Sequence, residues 1–263
     1  MTSVSPSNRA FVGVSTLLFA ASATLTIVWC TSMSAMGEMP MPGGWTMTMV
    51  WMKAPGQTWP GAATSFVGMW IVMMVAMMLP SLVASLWRYR DAIGRSGETR
   101  LERLTALVGV GYFVVWTAIG AAVFPLGMAA ASIEMQVPAL ARAVPIAAGV
   151  VVLIAGLLQF TAWKARQIAC CREVPRRGRT RPAGACAAVR YGLRLGLHCT
   201  YGCAGLTTVL LVAGVMNLGA MAVVSAAITI ERLVPAGDRA ARAIGTVVAG
   251  AGVLMIARAI ANG

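Results

Sequence analysis

The chain has 263 residues, 59% of them hydrophobic and only 11% charged, with a formal net charge of +13. Soluble domains carry about a quarter of their residues as charges, so this composition excludes an ordinary soluble globule. Several apolar runs approach the ~20 residues that a membrane-crossing helix needs, and none alternates with the period of two that barrel strands show. The expected fold is therefore all-α, a polytopic transmembrane helical bundle in one domain.

Span one covers roughly 10–32 and ends beyond Cys30. Residues Met33 to Met52 follow, with seven methionines (Met33, Met36, Met39, Met41, Met47, Met49 and Met52) among Gly and Pro residues that break a long helix. The loop continues to Ala63, and Trp45, Trp51 and Trp59 suit an interfacial aromatic belt. Span two, roughly 64–87, contains Met69-Trp-Ile-Val-Met-Met-Val-Ala-Met-Met-Leu-Pro-Ser81. Met69, Met73 and Met77 recur every four residues, with Met74 and Met78 in a second row beside them. Positions four apart share a helix face, so this is a sulfur stripe along a membrane helix.

Span three is placed at roughly 104–131 and span four at roughly 144–163. The most basic stretch runs from Lys164 to Arg194, with nine Lys/Arg and a single acid, Glu173. The apolar region from Tyr191 to Leu233 is too long for one span. It divides near Gly214 to Gly219 into span five, roughly 191–213, and span six, roughly 218–233. Span seven, roughly 241–260, gives about seven in all. With the N-terminus inside, only Lys53, Arg142 and Arg258 of the 21 Lys/Arg fall outside. The positive-inside rule then predicts N-in and C-out, with the Met-rich loop 33–63 extracytoplasmic and the basic loop 164–190 cytoplasmic. A juxtamembrane polybasic segment orients the chain and attracts anionic lipid. Nucleic acid is not an expected partner, because no recognition module fits in about thirty residues.

The six cysteines are not spaced as a secreted disulfide framework. Cys170 and Cys171 read as ordinary loop cysteines or as thiols that exchange metal with the cytosol. His198, the only histidine, precedes Cys199, and Cys199 and Cys203 lie one helical turn apart within span five. Thiolate with thioether favours Cu(I), whereas free cysteine also serves as a small buried hydrophobe. The same two readings, packing or soft-metal site, stand for the stripe. At ~1.5 Å per residue, Met77 lies about 15 Å from the inner surface and Cys199 and Cys203 about 12 and 18 Å. If spans two and five are neighbours, Met73, Met77 and Met78 face the thiols across the bundle. Twelve of the 18 methionines fall between Met33 and Met78, and the first seven sit in a loop where core packing explains little. The expected metal set is thus Met33, Met36, Met39, Met41, Met69, Met73, Met74, Met77, Met78, His198, Cys199 and Cys203. Glu231-Arg232 reads as a capped helix end, and Asn217 as a residue that satisfies backbone in its turn. No H-E-x-x-H, G-x-S-x-G or phosphate loop is present, and one histidine excludes a multi-histidine copper oxidase or a di-iron site. The chain reads as a non-enzyme.

Met39 to Met52, Pro55-Gly-Gln-Thr-Trp59, the A-M-M-L-P-S element within Met69 to Ser81, the His198/Cys199/Cys203 segment and Gly214-Val-Met-Asn-Leu218 resemble the predicted metal-binding integral membrane proteins of bacteria. That family includes membrane copper chaperones for polyphenol oxidases such as tyrosinase. The resemblance implies copper handling at the inner membrane and delivery to a copper enzyme; the clustered thioethers by themselves suit Cu(I) or another soft ion such as Ag(I). It also implies a further cysteine after the Cys203 position, where this chain has Ala204 and Gly205. Two other functions fit the residues. A transmembrane metal transporter would need a sulfur-lined path at every depth, and no inverted repeat or pair of broken helices is visible. An assembly subunit would use methionine as an adaptable contact surface. The client, oligomeric state and direction of transfer are not written in the sequence.

Overall fold

The computed structural model describes residues 6–35, 37–42, 44–52, 56–93, 98–172 and 184–262. Eight helices account for nearly all of them: α1 (Pro6–Ala35), α2 (Trp59–Ile93), α3 (Glu98–Gln136), α4 (Pro138–Leu158), α5 (Ala162–Arg172), α6 (Ala185–Ala213), α7 (Leu218–Leu233) and α8 (Gly237–Asn262). The fold is all-α, as composition and periodicity predict. The exception is a hairpin of β1 (Glu38–Met41) and β2 (Trp45–Thr48) followed by one 3-10 turn, Met49–Trp51. The Gly/Pro-rich segment that breaks the helix thus becomes a two-stranded cap rather than open loop.

Six helices are long and apolar enough to cross a membrane: α1, α2, α3, α4, α6 and α8. The segment expected as span six, α7, has 16 residues, short of the ~20 that hydrocarbon requires. Its last turn ends on Glu231 and Arg232, which are buried in the bundle and therefore need not reach headgroup water. Outward faces are apolar: Leu17, Leu126, Val223 and Val247 are each about 70% exposed, which suits lipid contact. Pro80, Pro125 and Pro145 sit inside helices, as neighbouring helices permit in membrane proteins.

Four helices form the central ring. α2 packs on α3, α3 on α6, α6 on α7 and α7 back on α2. α2 and α6 stand at opposite corners of the ring and meet at one end through the stacked rings of Tyr89 and Tyr191, 5.2 Å between centroids. The expected juxtaposition of spans two and five is accordingly diagonal, across a shared interior. Outside the ring, α1 packs on α2, while α4 packs on α6 and α8. Away from the hairpin, Arg90 of α2 holds α1 by donating to Ser7 Oγ at 2.6 Å.

Glycine lets the helix backbones approach. A Cβ on Gly111 of α3 would lie 2.5 Å from the Val189 carbonyl oxygen of α6, and one on Gly192 of α6 would run into the Val108 carbonyl of α3. Small residues are the usual means of close packing between membrane helices. Gly192→Leu is expected to cost at least ~1–3 kcal/mol, the range for overpacking, because the obstacle is backbone. Thermal unfolding in detergent checks this.

The stretch expected as span four plus a basic loop is divided differently. α4 ends at Leu158, Gln159 to Thr161 turn, and α5 begins. The Thr161 hydroxyl accepts from Lys164 N at 3.3 Å, capping the new helix. α5 then packs on α6, α7 and α8. Lys164 is therefore buried, 4% exposed, and is not a solvated loop charge. Cys170 and Cys171 also lie on this helix, whereas residues 173–183 of the expected basic loop lie outside the described residues.

Candidate metal centre

Cys199 and Cys203 are fully buried on the ring-facing side of α6, with their sulfurs 3.8 Å apart. Two residues one turn apart project in parallel, so the pair needs no unusual backbone. A metal about 2.3 Å from each sulfur, the usual metal–thiolate length, would see them at roughly 110°. The thiol pair is geometrically a chelate.

Three other helices close over it. Tyr112 of α3 brings its hydroxyl to 2.8 Å from Cys199 Sγ. Arg232 of α7 donates from Nη2 to Cys203 Sγ at 3.3 Å and to the Cys199 carbonyl at 3.4 Å. Glu231, beside it in sequence, is held by Lys164 of α5 at 2.6 Å. Lys164 also donates to the Gly202 carbonyl at 2.6 Å. With Glu231 engaged by Lys164, the hydrogen bonds of the Arg232 guanidinium among the described residues go to sulfur and to backbone. Cys171 of α5 is buried near Arg232 and Cys203; burial holds its thiol above the usual range, and the Arg232 guanidinium offsets only part of that.

The methionine rows face the same interior. Met73, Met74, Met77 and Met78 are each at most 3% exposed and belong to one buried cluster with Cys199 and Cys203. Met69 is half-buried at its margin. Depth can be followed through Trp70, whose indole donates to the Trp116 carbonyl at 3.0 Å. One turn further along α2 come Met73 and Met74, and one turn back along antiparallel α3 comes Tyr112, which meets Cys199. Thioethers and thiols thus occupy neighbouring layers of the ring. On α7, Ser225 Oγ donates to the Met77 carbonyl at 3.0 Å.

The remaining expected residues lie elsewhere. His198 is turned away from the thiol pair: its Nδ1 lies 2.9 Å from Gln167 Oε1 of α5. Among the described residues, no three His, Cys, Asp or Glu side chains converge in a way that could hold a metal ion. Met39 and Met41 are on β1, with Met39 opposite Met47 and Met41 opposite Trp45. Met41 and Met47 are buried in a separate small cluster with Ala131 and Ala141. Packing therefore explains more of the Met-rich segment than expected, because the hairpin folds onto the ends of α3 and α4; Trp45 Nε1 donates to the Ala141 carbonyl at 2.9 Å. Met33 is half-buried at a cleft beside the hairpin, and Met36 lies outside the described residues.

Sequence reasoning missed Tyr112, Lys164 and the inward role of Glu231 and Arg232. The signal was present for the last two: an ionisable residue within a membrane segment is a functional hypothesis by default. Asn217 does what its turn predicts, accepting from Ala220 N at 3.0 Å as the N-cap of α7.

The family model of PpoB2, described as a copper chaperone, matches residues 67–255. The match takes in the ring helices, the inward-facing methionines and the thiol pair, and leaves out α1 and the hairpin. No curated protein and no solved structure matches the chain.

Proposed function

This chain belongs to the PpoB2 copper chaperone family, and we propose that it carries Cu(I) at the Cys199–Cys203 pair and delivers it to a copper enzyme of the polyphenol oxidase type. The observation that carries this reading is Arg232, a buried cation set against two thiols. A Cu(I) ion held by two thiolates bears a net charge of −1. In a low-dielectric interior an unbalanced charge is costly, and Lys164 and Glu231 already cancel each other. The bis-thiolate copper unit supplies the negative charge that Arg232 needs. Soft sulfur donors select Cu(I), or Ag(I), over hard cations. Met73 and Met77, in the adjoining layers, add neutral thioethers that bind the ion without changing this balance. The metal is cargo, so the site holds it loosely enough to release and performs no chemistry on it.

In this reading the protein sits in a bacterial inner membrane, N-terminus inside and C-terminus outside, with α7 counted as a seventh, shortened crossing. The hairpin then faces the extracytoplasmic side, where a secreted oxidase would receive copper.

Two measurements test it. Titration of Cu(I) against a competing chelator should show weaker binding when Met73, Met77 and Met78 are all changed to Leu; unchanged affinity would reduce the stripe to packing. Copper-loaded protein should activate an apo polyphenol oxidase faster than the same Cu(I) held by a small chelator of equal affinity. Equal rates would sink delivery as the function.

A further inference from the structure

A second group of sulfurs lies at the hairpin end of the bundle. Cys30, near the end of α1, donates its thiol to Met216 Sδ across 3.6 Å. The two residues are 186 positions apart and both are buried. Met216 is in the turn between α6 and α7, and it also lines a cleft of about 410 Å³. Met33, one turn beyond Cys30 on α1, lines the same cleft. Thr48 and Val50 of the hairpin segment form another wall, and Gly214 and Asn217 of the turn form the floor.

We infer that Cys30, Met216 and Met33 form a second Cu(I) site, a receiving station at the mouth of the bundle. It deepens the proposal that this protein carries Cu(I), and rests on that reading for the identity of the ion. A metal about 2.3 Å from Cys30 Sγ and Met216 Sδ would see them at roughly 105°, with Met33 offering a third donor from the cleft side. Among the described residues, none that lines the cleft carries a charge. Hard divalent ions, which need carboxylate and carbonyl oxygens in number, find no match, whereas a soft monovalent ion does. Binding breaks the Cys30 S–H bond: the proton leaves to cleft water, the sulfur lone pair bonds to Cu(I), and no electron is transferred. One thiolate with one Cu(I) is neutral, so this site needs no counter-charge, unlike the pair beside Arg232. The first site takes a cation without a buried counter-ion, and the second holds it as an anion against the guanidinium.

The turn is built to hold Met216 in place. Gly214 has φ +100°, a left-handed conformation that other residues rarely adopt. Asn217 N donates to the Gly214 carbonyl at 3.0 Å, and the Asn217 side chain caps α7. Cys30 and Met216 also belong to the buried cluster that contains Met73, Met77, Cys199 and Cys203. The two proposed sites are thus ends of one sulfur-bearing interior.

The test is Cu(I) stoichiometry in the purified full-length protein, read by competition with a chromophoric chelator. Wild type is expected to bind about two Cu(I) per chain, and Cys30→Ser with Met216→Leu to bind about one. Cys199→Ser with Cys203→Ser should also retain about one, now lost on adding Cys30→Ser and Met216→Leu. Because Cys30 and Met216 are buried, Met33→Leu is measured too: this volume-conserving change at a half-buried position should weaken the outer ion alone. Unchanged stoichiometry and affinity in both Cys30→Ser/Met216→Leu and Met33→Leu would overturn the second site. Failure of the central pair reads separately, as unchanged copper in Cys199→Ser/Cys203→Ser.

Discussion

Lys164→Met is expected to lower stability by about 3–5 kcal/mol, the cost of stripping a buried ion pair of one partner. The residue is 4% exposed, its Nζ lies 2.6 Å from Glu231 Oε2, and the same ammonium satisfies the Gly202 carbonyl. Its removal leaves a carboxylate inside the bundle beside the thiol layer and takes away the second donor to the mid-helix Gly202 carbonyl. The measurement is unfolding of the detergent-solubilised protein by heat or by added denaturing detergent. A second variant separates the ion pair from packing. Lys164→Met combined with Glu231→Leu should recover most of the loss, because an apolar pair of similar volume is often as stable as a buried ion pair. If the single and double variants unfold alike, the pair is not what anchors α5 to α7.

Arg232→Met is expected to weaken Cu(I) binding roughly 10- to 100-fold, corresponding to ~1.5–3 kcal/mol for a hydrogen bond to a charged group. The guanidinium is 3.3 Å from Cys203 Sγ, a thiolate in the proposed copper-bound form. With methionine at 232, the bis-thiolate copper unit becomes an uncompensated buried anion. Arg232→Lys should restore part of the affinity, since it keeps the charge and loses the planar fork. Equal affinity in wild type and Arg232→Met, measured by competition with the same chelator, would show that the cation serves only to tie α7 to α6.

The methionine stripe was legible because its spacing of four puts sulfur on one face whatever the tertiary fold. The structure buries that face, and Met73, Met74, Met77 and Met78 end in the same cluster as the thiols. Lys164 was not legible. It opens a run of basic residues, and charge runs read as solvated; only the break at Gln159 to Thr161 turns α5 back onto the ring. Glu231 and Arg232 were placed correctly at a helix end, but that end is inside the protein. A one-dimensional hydropathy profile cannot tell a helix that stops at the membrane surface from one that stops within the bundle. His198 shows that neighbours in sequence need not share a face. Adjacency to Cys199 suggested a shared site, yet neighbouring residues on a helix point about 100° apart, and the imidazole faces Gln167.

Composition and periodicity by themselves determined an all-α fold rich in membrane-length apolar helices, the sulfur stripe and the thiol pair one turn apart. These follow from local chemistry: apolar length, the 3.6-residue period and the positions of Gly and Pro. Tertiary structure alone decided which polar groups meet those sulfurs. The ring of α2, α3, α6 and α7 sets stripe and thiols at opposite corners of one interior. It brings Tyr112 and Arg232 to the thiols, and it pairs Cys30 with Met216 across 186 positions. Contacts between distant segments depend on which helix faces are buried against one another, a property of the packed bundle that no local pattern encodes.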